Sequence, residues 1–226
     1  MTPSSHSLVR PRLRNADTNA TPMARGATCL NVVKHPSLVS AVERSALLRQ
    51  QPATVWLTGL SGAGKSTLAY GAERHLHAQG QLGFVLDGDN VRHHLSCDLG
   101  FSPSDRRENI RRVAEVAALM NDAGLIVFTA LISPRQEDRE QARSIIGEAR
   151  FVEVHVSTAL AVCEARDPKG LYEKARTGAI PHFTGVSAPY ETPQSPALRI
   201  DTDMCGLDQS VEKLMAFLVS RCSLAS

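Results

Sequence analysis

The sequence predicts a three-layer α/β fold, a mostly parallel central sheet flanked by helices, with an irregular lid-like segment added. Three observations carry this. Short β-prone runs alternate with helical patterns from residue 54 onward, an order that requires parallel strands joined by right-handed crossovers. The run Leu125 to Leu131 is continuously apolar, as in a strand buried on both faces. A glycine-rich stretch sits between the first strand and the first long helix.

The elements read as follows. Thr54–Thr58 is a β-prone run ending at glycine, and a helix follows over Lys65–Gln79 with Gly80 placed to stop it. Leu82–Leu86 reads as a second strand ending at Asp87. A long helix covers Pro103–Ala123: Ser102 can cap it, Pro103 suits its first position and Asp105 its positive end. Val113, Val116, Ala117 and Met120 give that helix one buried stripe. After the strand at 125–131, Ser133-Pro134 reads as a helix start, with Ser133 as cap and Gln136 as capping-box partner. Phe151–Val156 and Leu198–Ile200 read as strands, and Leu207, Val211, Leu214 and Leu218 line one face of a last helix. Residues 166–196 lose apolar periodicity apart from a short helix at Leu171–Arg176. A stretch that long without regular structure is expected to be functional, as lids are.

Gly59-Leu60-Ser61-Gly62-Ala63-Gly64-Lys65-Ser66-Thr67 fits GxxxxGK[ST] at every fixed position, in the strand-to-helix context the motif requires. It makes the fold a P-loop NTPase fold. Its glycines let backbone N–H groups face phosphate oxygens, and the helix N-terminus adds positive potential. Lys65 would reach the β- and γ-phosphates of ATP, and Ser66 would supply an oxygen to Mg²⁺. Asp87 and Asp89, in Asp87-Gly88-Asp89-Asn90, fall where open α/β sheets bind ligands. A carboxylate there orients a metal-bound water or accepts a proton; an acidic turn is the plainer alternative. Asp167-Pro168-Lys169-Gly170 matches DxxG, but no NKxD follows, which excludes a GTPase. Five arginines lie within 21 positions. Arg92 and Arg106, near loop ends, read as anion ligands. Arg107, Arg111 and Arg112 read as a solvated face bridged to Asp105, Glu108 and Glu115.

Charge and composition narrow the classes further. The 226 residues carry 25 Lys+Arg against 23 Asp+Glu, and residues 1–28 hold four of those arginines against one acid. The body is near neutral, which with 4% aromatics argues against a nucleic-acid footprint. Residues 1–28 read as a basic disordered extension, though a transit peptide would share the composition and Met23 is a second candidate start. No apolar run reaches a membrane span. The five cysteines form no CxxC and read as reduced, buried thiols, and the eight histidines form no HExxH. The expected location is cytoplasmic.

The ordered motifs resemble the adenylylsulfate kinase (APS kinase) family. They are WLTGLSGAGKSTLA at 56–69, DGDNVRH at 87–93, DLGFS at 98–102, DRRENIRRVAEVA at 105–117, ISP at 132–134, RDPKGLY at 166–172, FTG at 183–185 and PYE at 189–191. The resemblance spans about residues 29–220, so residues 29–226 are expected to be one kinase domain with a lid at about 166–196. It implies transfer of the ATP γ-phosphate to the 3′-hydroxyl of adenosine 5′-phosphosulfate (APS), giving 3′-phosphoadenylyl sulfate (PAPS) and ADP, with Mg²⁺. By the same resemblance Gly59–Thr67 binds ATP, and Asp87 is the base or magnesium-water contact. Asp89, Arg92, Arg106 and Asn109 hold APS, Phe101 and Phe183 sandwich its adenine, and Ile132 and Ser133 contact it. Lys169 is the lid lysine near the transferring phosphate, and Ser133 is also a candidate phosphoserine. A homodimer and a separate ATP sulfurylase supplying APS are implied too, since the length leaves no room for a fused sulfurylase. The chain departs from the family pattern at His94, Ser96, Arg135-Gln136 and Ser187-Ala188. Another small-molecule P-loop kinase, or a nucleotide-binding regulatory subunit, are the competing readings.

Overall fold

The first strand, β1 (Thr54–Thr58), is buried at all five positions and pairs on both sides. It is the middle of a five-stranded, all-parallel sheet in the order β2 (Gly83–Asp87), β3 (Ile126–Ala130), β1, β4 (Phe151–Val156), β5 (Leu198–Ile200). The computed structural model describes residues 33 and 35–222, and the residues from Leu38 onward form one compact unit. The reading of residues 1–28, and of Cys29, lies outside the described residues.

Strand side chains alternate between two cores. Val55 and Leu57 of β1 face α2 (Lys65–Ala78) and α8 (Leu207–Cys222), together with Leu68, Leu76, Leu214 and Leu218. Trp56 faces the opposite way, toward α4 (Pro103–Asp122) and α5 (Gln136–Ile146), with Val113, Ala117 and Phe151. Burying a large apolar side chain contributes about 1.5–3 kcal/mol, so one strand glues both layers. The stripe expected on α4 is there: Val113 and Ala117 are buried, and Val116 and Met120 pack against them. On α8, Val211, Leu214 and Leu218 are buried, whereas Leu207 is partly exposed.

Three helices were not expected from the sequence. α1 (Ala41–Leu48) opens with a capping box, in which Ser40 Oγ accepts from Glu43 N–H and Glu43 Oε2 accepts from Ser40 N–H. The spacing Ser-x-x-Glu is the signal that announces it. α3 (Gly88–His93) starts on Asp87 itself, and α6 (Leu160–Arg166) precedes the irregular segment. Within that segment α7 (Leu171–Arg176) is the short helix expected.

Two expectations are corrected. Ser133 does not cap α5, which begins at Gln136 with Arg135 at the N-cap, whose own side chain makes no capping bond. The Ser133 hydroxyl instead accepts from Trp56 Nε1 at 3.1 Å, and a φ of +39° turns its backbone away from a helix entry. Of the three cysteines whose side chains are described, Cys163 is buried, Cys97 exposed and Cys205 half-buried. No helix among the described residues is long and apolar enough to cross a membrane.

The loops entering β2 and β3 are held by one buried side chain. Gln50, 3% exposed, donates from Nε2 to Leu82 O (2.9 Å) and Gly124 O (2.8 Å), and Oε1 accepts from Leu82 N–H (2.8 Å). Gln50→Ala would strip this partner from Leu82 N–H and Gly124 O, while Leu82 O would keep only the Ile126 N–H at 3.2 Å. It should lower unfolding free energy by about 2–4 kcal/mol, read by urea denaturation.

Candidate active site

The stretch after β1 has to run as nearly bare backbone. A Cβ on Gly59 would stand 2.4 Å from the carbonyl oxygen of Val156, and Gly64, at φ +94°, is the N-cap of α2. The loop therefore meets the helix with its N–H groups free to face an anion. Two hydroxyls from neighbouring strand ends steady it: Thr158 and Thr202 donate to Ala63 O at 3.2 and 2.8 Å. Arg166 in turn donates to the Thr202 side chain and carbonyl at 2.8 and 3.0 Å.

Lys65 takes the first helical position and is 7% exposed. Its Nζ donates to the carbonyls of Gly59 (2.9 Å) and Leu60 (2.6 Å). Burial is the largest influence on the ammonium and pulls its pKa from 10.5 down to about 8, against the opposing pull of Cys163, Asp87 and Asp89. Ser66, one residue on, donates from Oγ to Asp87 Oδ2 at 2.6 Å. The strands carrying these groups are not neighbours, because β3 lies between β1 and β2. The start of α2 closes that gap. The other oxygen of Asp87 caps α3 by accepting from Asp89 N–H (3.0 Å) and Asn90 N–H (3.4 Å).

One cavity of about 1000 Å³ lies above the carboxyl ends of the strands. It is lined by Ser61, Gly62, Gly64, Lys65, Ser66 and Thr67 from the loop, and by Asp87, Asp89, Arg92, Phe101, Arg106, Asn109, Ile132, Ser133, Lys169 and Phe183. Thus every site residue expected outside the loop meets the loop here. Gly59, Leu60 and Ala63 shape the loop without lining the cavity.

The arginines fall into two sets. Arg92 lies 4.4 Å over the Phe101 ring and donates to Gly100 O (2.8 Å); Arg106 donates to Phe101 O (2.9 Å), Thr184 Oγ1 (3.0 Å) and His182 O (3.0 Å). Burial lowers the pKa of both, and neither forms an ion pair with a carboxylate among the described residues. Arg107, Arg111 and Arg112 are paired on the surface, though not with Asp105: Arg107 meets Glu137 and Asp138, Arg111 meets Glu108 and Glu115, and Arg112 meets Glu108 and Asp98. Asn109 is 4% exposed and its Oδ1 has no hydrogen-bond partner, so a donor from a bound molecule would find it ready. Phe101 is 64% exposed, while Phe183 is buried edge-on against Tyr172. Lys169 pairs with Asp89 across the opening.

The departures have physical readings. His94 has φ −130°, so it carries no left-handed strain. Ser187 Oγ accepts from Phe183 N–H at 2.9 Å, fixing that ring's backbone. Arg135 pairs with Glu137. Asp167, read as part of DxxG, takes the N–H groups of Leu171, Tyr172 and Glu173 and so caps α7. Sequence reasoning missed Tyr70, Thr202, Leu207 and Ser210, which also line the cavity. Only Thr202 carried a signal, following β5 at the ligand-binding end of the sheet.

The model of the adenylylsulphate kinase family matches residues 51–201. This chain belongs to that family. The adenylyl-sulfate kinase of Shewanella amazonensis is 55% identical over 190 residues, covering 84% of this chain and 96% of that one. The Mycobacterium tuberculosis APS kinase solved with AMPPNP and APS is 48% identical with a TM-score of 0.72, over 75% of this chain and 98% of its own. A hexameric APS kinase from Thiobacillus denitrificans is 35% identical with a TM-score of 0.58, over 76% of this chain and 29% of its own.

Lys65 supplies a pH test with a definite sign. With a pKa near 8 it is charged below that pH and progressively neutral above it. The unfolded chain keeps the proton until about 10.4, so the penalty of burying the charge is relieved between those values, while the attraction for phosphate is lost. The dissociation constant of a non-hydrolysable ATP analogue should rise as pH passes 8. In Lys65→Met binding should be weaker throughout and lose that dependence, as calorimetry across pH 6.5–9 would read.

Proposed function

We propose that this chain is an adenylyl-sulfate kinase, moving the γ-phosphoryl group of ATP onto the 3′-hydroxyl of APS to give PAPS and ADP. The observation that carries the reading is the shared cavity, where the phosphate loop and two unpaired arginines face one space. Family membership, with identities of 50–55% to named adenylyl-sulfate kinases, supports the same acceptor.

The division of labour follows from the charges. Loop N–H groups, the α2 N-terminus and Lys65 hold the donor phosphates. Arg92, Arg106 and the orphan Oδ1 of Asn109 hold the acceptor's phosphosulfate and nucleoside, Phe101 and Phe183 take its adenine, and Ile132 and Ser133 floor it. Asp87 orients the 3′-hydroxyl and accepts its proton as the O–P bond forms. Lys169, released from Asp89, meets the charge that develops on the transferring group. Ser66 and Asp87, two hard oxygen donors 2.6 Å apart, fit Mg²⁺, which would be held there. The ion would neutralise β- and γ-phosphate charge. Most of the acceleration is then positioning and electrostatic stabilisation, and closing the 166–196 lid would keep water from competing as acceptor.

Incubation of the enzyme with ATP and APS, with products identified by mass, tests the reading; PAPS and ADP are expected in equal amounts. Lys65→Ala should lose at least about 10²- to 10³-fold in kcat, and Asp87→Asn a comparable factor with a raised Mg²⁺ requirement. Turnover of other hydroxyl acceptors but not APS would overturn it.

The reading includes a cytoplasmic homodimer fed with APS by a separate sulfurylase, and a dispensable extension at residues 1–28. A chain starting at Ala27 should keep full kcat/KM and, by light scattering, the same dimeric mass as the full chain.

A further inference from the structure

Among the described residues, Ser133 is one of three non-glycine residues with positive φ, and of those three it alone lines the cavity. A buried serine stays in that region only when its surroundings over-determine it. Its hydroxyl is taken by Trp56, and its carbonyl accepts from Arg139 Nη1 at 2.8 Å. Arg139 is 2% exposed and anchored by Glu153 of β4, Nε to Oε1 at 2.8 Å. Its remaining nitrogen, Nη2, donates to Glu191 O at 2.8 Å.

Glu191 and Tyr190 return the favour from the far end of the lid. Glu191 N–H donates to Pro134 O (2.8 Å), and Glu191 Oε2 accepts the Gln136 N–H (2.7 Å), the first of α5. That carboxylate does the work that a capping serine would otherwise do. Tyr190 stacks on the buried His155 ring, 5.9 Å between centroids, and its hydroxyl lies 3.0 Å from Thr58 Oγ1. Thr58 Oγ1 is also 2.7 Å from Ile132 O, an atom that can only accept. Thr58 has one proton, so the chain runs from Tyr190 O–H to Thr58 Oγ1, and from Thr58 O–H to Ile132 O. Ile132, Ser133, Pro134 and Gln136 are thereby each tied to this strap, to Arg139 or to both. Neither Tyr190 nor Glu191 lines the cavity.

We propose that Tyr190 and Glu191 are positioning residues for the acceptor: acting with Arg139, they hold the Ile132–Ser133 ledge in its strained shape. The inference rests on the reading that APS is the acceptor lying on that ledge. Losing either side chain should loosen the acceptor site, while the phosphate loop keeps its own anchors, the Thr158 and Thr202 hydroxyls on Ala63 O.

Steady-state kinetics on the full chain, varying APS at saturating ATP and the reverse, test this. Glu191→Ala and Tyr190→Phe should each raise the KM for APS about 3- to 10-fold, the worth of one hydrogen bond, with the KM for ATP within about twofold of wild type. Glu191→Gln keeps an oxygen for the Gln136 N–H and should restore the APS KM. Trp56 is the sole tryptophan and touches Ser133, so its emission should shift in Glu191→Ala and not in Glu191→Gln. Unchanged APS kinetics, or losses shared equally by both substrates, would overturn the proposal. Failure of the wild-type enzyme to phosphorylate APS would overturn the functional reading instead, and would show before any substitution is made.

Discussion

The phosphate loop leaves the middle of the sheet, and most of the site depends on what that demands. A strand paired on both sides cannot shift without breaking two ladders, so β1 launches the loop from a fixed point. The loop must then pass within touching distance of β4, which is why Gly59 meets the Val156 carbonyl where no side chain fits. From there α2 begins with its N–H groups forward, and Lys65 and Ser66, its first two residues, both line the cavity. Asp87 arrives from a strand two places away because Ser66 reaches it across the end of β3.

Charge explains why the site binds anions despite a nearly neutral body. Three cations at the cavity are kept from saturating themselves: among the described residues Lys65 has only carbonyls as hydrogen-bond partners, and Arg92 and Arg106 hold carbonyls, a hydroxyl and an aromatic face. Carbonyls orient a cation without neutralising it. On the outer face of α4 Arg111 and Arg112 are spent on carboxylates, and such exposed pairs contribute little to stability. Lys169 stands between these cases, its partner Asp89 being itself a lining residue, so an anionic substrate competes for it directly.

Most of the architecture was legible in advance because its signals are local. Five strands and the long helices follow from apolar runs, period and punctuation, and the boundaries of β1, β4, α7 and β5 match within the sequence patterns themselves. α1 was equally legible through Ser40 and Glu43, yet its exposed apolar residues hide the periodicity that usually draws attention. α3 and α6 are too short to show a period. Ser133 misled for a specific reason: Ser-Pro reads as a helix start, but the hydroxyl was claimed by a tryptophan 77 residues earlier, and α5 was capped by a glutamate 55 residues later.

That contrast separates two kinds of information. Residue order alone sufficed for the fold class and for naming the residues that line the cavity, because a phosphate loop encodes its geometry in nine consecutive positions and ordered motifs mark the rest. Which hydroxyl caps, which carboxylates the surface arginines meet and which backbone is held in strain came only from the folded chain. Those outcomes turn on which partners reach a given hydrogen-bonding group first, and the partners lie tens of residues apart, brought together by the crossovers of a parallel sheet.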